Sequence, residues 1–175
     1  MASGQAAIFI NWTIPIGLGH VGWGYQISPD VWMYGGLETA GFYIGSGYGN
    51  NTHNIKGSFK AMIQGMKDGK RPDNTGFDGY PYHQYKIISV QNINVAGAAT
   101  LVEKIRNGGY FLPGNNCMDA VFQVMKAYAR GNDRVLPWPC THPVPRMWYN
   151  AIPGKGVYIQ SESATGNFLK QHGNA

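Results

Sequence analysis

The chain has 175 residues, enough for one domain, with 43% hydrophobic, 13% aromatic and 13% charged residues, about half the charge of an ordinary soluble domain. This composition excludes a disordered chain, which would lack aromatics and carry more charge, and the 25 glycines favour short strands and tight turns over a helical bundle. The net charge of +5 is scattered apart from Lys67, Lys70 and Arg71. Nucleic-acid modules concentrate charge on one face, so no nucleic-acid partner is expected.

The first third has the character of β-structure. Residues 6–14 (AAIFINWTI) are rich in branched and aromatic side chains, as a strand requires. After Pro15 to Gly19 comes 20–27 (HVGWGYQI), whose alternation puts His20, Gly22, Gly24 and Gln26 on one face and Val21, Trp23 and Tyr25 on the other. A turn at Ser28-Pro29-Asp30 leads into 31–38 (VWMYGGLE), and 40–45 (AGFYIG) can continue that strand. The run 45–54 (GSGYGNNTHN) is composed as a loop, and it lacks the ending of a phosphate loop.

A short helix is predicted over 58–67, with Phe59, Met62, Ile63 and Met66 at helical spacing. Residues 68–82 are composed as a loop, and 83–91 (HQYKIISVQ) as a strand. Asn94 is placed to cap a helix over 95–107, closed by Gly108-Gly109. Asn116 is placed to cap a second over 117–130, with Asp119 in its first turn. A proline-rich segment (135–148), a short strand (156–160) and a polar tail complete the chain. With no internal repeat and no domain-splitting linker, the expectation is one domain over 1–175, α+β, with a mostly antiparallel sheet.

No stretch approaches the roughly 20 apolar residues that a bilayer span needs. The start, MASGQAAIFINWTIP, lacks the basic region of a secretory signal. A soluble protein is expected, cytoplasmic or exported by a non-standard route.

Two cysteines are too few for a disulfide framework or a four-cysteine zinc site. Cys117 begins a predicted helix, where free amides and a partial positive charge favour thiolate and can contribute to an oxyanion hole. His20 opens a strand whose glycine-lined face lets another element or a substrate approach closely. If the chain reverses at Ser28-Pro29-Asp30, facing positions on the two strands sum to about 58. That sets Glu38 opposite or diagonal to His20, where a carboxylate can fix the imidazole's tautomer. Tyr34 and Gln26 are the substitutes if the register slips by two residues. Cys140 lies among prolines in PWPCTHPVP, a segment expected to be extended and not catalytic. His53, His83, His142 and His172 are expected at the surface or in turns. A zinc site made from His20, Glu38 and Cys117 is an alternative that the residue types allow.

A histidine on an early strand, a polar residue on the next and an Asn-Cys helix start resemble the permuted NlpC-type branch of the papain-like fold, the relatives of lecithin:retinol acyltransferase. The resemblance spans about 20–130, through GHVGWGYQ, YGGLE, KIISVQNINVAGAATLVEKI and YFLPGNNCMDAV, and VPRMWYNAI (144–152) is similar to the tail of small bacterial proteins of this group. Many members carry histidine or another polar residue where Glu38 stands. The resemblance implies a circularly permuted papain-like domain, its antiparallel sheet packed against helices that include the nucleophile helix. It further implies a cysteine hydrolase or acyl transferase, with catalytic Cys117, His20 and Glu38 and no cofactor. The implied substrate is a peptide, isopeptide or acyl group, and an amide is favoured because no membrane-binding helix is evident. A lipid acyl hydrolase or transferase is one alternative. Another is a non-catalytic binding module whose groove is lined by Trp12, Trp23, Trp32, Tyr34 and Tyr48.

Overall fold

A computed structural model of the chain describes residues 2–14, 17–39, 50–69, 81–108, 116–130, 134 and 136–159. The expected strand at 40–45, most of the 68–82 loop, Tyr48, His172 and the polar tail lie outside the described residues. The fold is α+β. Strands β1 (Ser3–Asn11), β2 (His20–Ser28) and β3 (Val31–Thr39) come first, then β4 (Asn50–Thr52), β5 (Ile55–Gly57) and helix α1 (Phe59–Asp68). Strand β6 (Gln84–Gln91), helices α2 (Val95–Gly108), α3 (Cys117–Tyr128) and α4 (Pro145–Ala151), and strand β7 (Val157–Tyr158) follow.

All described strands join one antiparallel sheet in the order β4-β3-β2-β1-β6-β7, with β5 also paired to β3. Strand β1 lies between β2 and β6, and both of its faces are covered. Ala6, Ile8 and Ile10 enter a core with Val102 of α2 and Val121 of α3, whereas Ala7 and Phe9 enter a second with Met62 and Met66 of α1. Burial on two faces is why its sequence is continuously apolar rather than alternating. Strand β2 divides in the same way. Val21, Trp23 and Tyr25 go to the α2/α3 core, and its glycines admit the methionines of α1. A Cβ on Gly24 would come within 2.5 Å of the Met62 sulfur.

The helix caps follow the sequence. Ser58 accepts from the Ala61 amide, Asn94 from the Gly97 amide, and Asn116 from the amides of Met118 and Asp119. Three local expectations need correction. Residues 50–52 and 55–57 are short strands, because β3 offers them a free edge, whereas their composition suggested loop through residue 54. Pro145 starts α4 rather than keeping the chain extended, since a proline at the first helical position gives up no intrahelical bond. Cys140 lies in a single 3-10 turn, Pro139–Thr141, instead of an extended run.

Helix α4 is fastened from several sides. The Arg146 amide donates to the Leu18 carbonyl, and the Trp148 indole donates to Pro137 O. The buried Lys86 of β6 sends its Nζ to the carbonyls of Tyr149, Asn150 and Ile152 at 3.0, 3.4 and 2.6 Å. Among the described residues no helix is long and apolar enough to cross a membrane.

Candidate active site

The pairing of β2 with β3 has Gly22 opposite Gly36 and Gly24 opposite Tyr34. Both pairs sum to 58, the register expected from the turn, and the irregularity that shifts it is confined to the Gln26–Ser28 end. Asp30 turns the hairpin with a φ of 56°. At the far end the same register brings His20 and Glu38 face to face, with His20 Nε2 2.8 Å from Glu38 Oε2. Both side chains are buried, at 6% and 4% exposure. The slipped arrangements do not occur. Tyr34 is buried in the α1 core, and Gln26 Oε1 accepts from the Gln5 amide.

Cys117 stands at the first position of α3, buried and outside any disulfide, and Cys140 is likewise free but at the surface. Cys117 lies close enough to the His20 imidazole to raise that group's pKa. Burial by itself lowers the His20 pKa. The Glu38 carboxylate first, and then Cys117, outweigh burial and hold it well above the ordinary range. The three residues expected from the sequence are therefore brought together around one imidazole. The arrangement suits proton exchange between thiol and imidazole, and the carboxylate holds the second ring nitrogen. Among the described residues no three His, Cys, Asp or Glu side chains form a group that could hold a metal ion.

One expected feature differs. The amides of Met118 and Asp119 are engaged by the Asn116 side chain at 2.9 and 3.0 Å, so the helix start does not offer them to a substrate oxyanion. The backbone N–H of Cys117 itself is the remaining candidate there.

Sequence reasoning missed Tyr82. Its buried hydroxyl donates to Glu38 Oε1 at 2.9 Å, and its ring lies 5.9 Å from that of His20. The glycines of β2 and β3 make room for it. A Cβ on Gly22 would come within 2.6 Å of the hydroxyl and one on Gly36 within 2.8 Å. The only signal in the sequence was the pair of glycines facing a histidine and a glutamate, which marks an approach without naming what approaches.

The other histidines are placed differently from expectation in one case. His53 is buried, not at the surface, because its amide donates to Gly36 O and the chain there crosses tightly over Gly35. His83 is half-buried, accepts the Trp12 amide on Nδ1 at 3.1 Å, and has its pKa lowered by burial. His142 contacts the Thr141 hydroxyl through Nδ1. The ring-lined groove is also corrected. Trp12, Trp23, Trp32 and Tyr34 are all buried, since helices cover both faces of the sheet. No family model, curated protein or solved structure matches the chain.

Proposed function

We propose that the protein is a cysteine-dependent hydrolase or acyl transferase acting on an amide or ester, on a circularly permuted papain-like scaffold of the NlpC type. One observation carries this reading. Glu38, His20 and Cys117 are buried together and supplied by three different elements, with the imidazole paired to the carboxylate at 2.8 Å and raised in pKa by both Glu38 and Cys117. In the mechanism, His20 takes the Cys117 proton and the sulfur attacks the carbonyl carbon. As the tetrahedral intermediate collapses, His20 returns the proton to the departing amine or alkoxide, leaving a thioester. Water or an acceptor, deprotonated by His20, then attacks the thioester and restores the thiol.

A peptide or isopeptide amide, such as a cell-wall cross-peptide, is the favoured substrate. The binding-module alternative loses its motive with the burial of its four described rings.

Competitive alkylation with iodoacetamide tests the reading. Cys117 should react at least about tenfold faster with His20 present than in His20→Ala, while Cys140 keeps one rate in both. Equal, slow alkylation of the two thiols with no effect of His20→Ala would sink it. For the substrate, digestion of purified sacculi is set against acyl release from phospholipid vesicles. Muropeptide products support the amide, and vesicle products alone overturn it.

A further inference from the structure

We propose that Tyr82 is a positioning residue of this site, holding the Glu38 carboxylate in the one orientation that presents Oε2 to His20. The inference rests on the reading of Cys117, His20 and Glu38 given above, and adds a fourth residue to it.

The Glu38 carboxylate is met on both oxygens, by a hydrogen bond from the Tyr82 hydroxyl to Oε1 at 2.9 Å and by His20 Nε2 paired with Oε2 at 2.8 Å. Rotating the carboxylate away from His20 would break both contacts in a buried setting, where an unmet charged acceptor is costly. The tyrosine is aimed by several elements at once. Asn11, at the end of β1, donates its amide to Pro81 O at 2.6 Å. The Tyr82 amide donates to Met66 O of α1 at 2.8 Å, and the His83 amide donates to Ile10 O of β1 at 2.9 Å. The ring packs edge-on against Phe9, with centroids 5.9 Å apart. The hydroxyl occupies a space that exists because both β2 and β3 carry glycine beside it. Packing alone would be served by phenylalanine, whereas the glycines accommodate the oxygen.

Towards the carboxylate oxygen the hydroxyl acts as the donor at working pH. Burial first, and then the Glu38 charge and hydrogen bond, push its pKa well above the ordinary range. The titratable groups that act on it are Glu38 of β3, His20 of β2 and Cys117 of α3, and α1 faces it with the uncharged Met66. A buried carboxylate that loses a donor binds protons more readily. Removing the hydroxyl should therefore make the whole site take up its proton at a higher pH.

The experiment is the pH profile of Cys117 alkylation in wild type and Tyr82→Phe, with melting temperature measured alongside. The acid limb should move up by about one pH unit, equivalent to about tenfold slower alkylation on that limb. In a Glu38→Gln background, Tyr82→Phe should change the rate less than about twofold. A limb that stays in place while the melting temperature falls would show a purely structural tyrosine and overturn the inference, as would an equal effect in both backgrounds. Should Tyr82→Phe fail to fold, wild type with ring-labelled tyrosine provides the second measurement. The Tyr82 hydroxyl proton should shift in NMR when Cys117 is carbamidomethylated, and an unmoved signal overturns the inference. A wild-type rate indifferent to His20→Ala removes the site reading and this inference with it. A His20-dependent wild-type rate with an unmoved limb in Tyr82→Phe removes this inference alone.

Discussion

His20 and Glu38 meet because their strands share an unbroken register. From Gly24–Tyr34 through Gly22–Gly36 the ladder runs without a shift, and it delivers Nε2 of one residue to within 2.8 Å of Oε2 of the other. An ion pair placed at the end of a ladder carries a pH signature. The His20 pKa is raised well above its ordinary value in the fold, and the unfolded chain titrates near about 6.5. The native state therefore holds this proton more tightly. Its contribution to stability is fully present below about pH 6.5 and is lost as pH rises through the folded value. The melting-temperature advantage of wild type over His20→Gln should be larger at pH 6 than at pH 10. An advantage that is constant, or that grows with pH, contradicts the pairing.

The two thiols should separate cleanly. Cys140 is exposed in a three-residue 3-10 turn, with neither a long helix start nor an anchored imidazole to activate it. Under the proposed function, Cys140→Ser should leave any activity within a few-fold of wild type, and Cys117→Ser should abolish it. The opposite ranking in a turnover assay would identify the wrong nucleophile.

Lys86→Met keeps most of the stem volume and deletes the ammonium that meets three carbonyls at the end of α4. Leaving those carbonyls without their donor should cost about 2–4 kcal/mol. For a chain of this size that is a fall of roughly 5–15 °C in melting temperature. A calorimetric change under about 2 °C would show that α4 does not depend on this lysine.

Alanine should be tolerated very differently at two glycines of the same hairpin. On Gly35 a Cβ would collide with the backbone carbonyl of His53, which cannot move without displacing the chain that β3 holds on both sides. On Gly24 the obstacle is the sulfur of Met62, the end of a flexible side chain. Gly35→Ala should cost at least about 3 kcal/mol and Gly24→Ala about 1–2 kcal/mol. Denaturant titration checks the order, and the reverse order contradicts the packing described.

The contrast between Glu38 and Tyr82 shows what the sequence could disclose. Glu38 was legible because strand alternation, a proline-containing turn and simple addition along two strands place it beside His20. The caps Ser58, Asn94 and Asn116 were legible because their chemistry is local. Tyr82 was not, since it ends a stretch rich in glycine, proline and aspartate with no periodicity. Its position depends on carbonyls of Ile10 and Met66 offered by other elements. The burial of Trp12, Trp23, Trp32 and Tyr34 was hidden for a related reason. Alternation shows that a strand has two faces, and only the tertiary arrangement shows that both are covered. Strands β4 and β5, three residues each, are too short to carry a pattern at all.

The Tyr128 hydroxyl at the end of α3 donates to Gln26 O at the end of β2, 102 residues away in the sequence. The helix that begins with Cys117 is thus clamped to the strand that begins with His20 at its opposite end. On a translating ribosome the imidazole and the carboxylate emerge first, on a hairpin that can form early. The thiol arrives only after β6, which must dock on the far side of β1, has been made. Until that assembly is complete, the sulfur lies on an unattached segment, apart from the imidazole and the carboxylate. The meeting of sulfur and imidazole thus waits on the last long-range contacts to form, those that join the end of α3 to the end of β2.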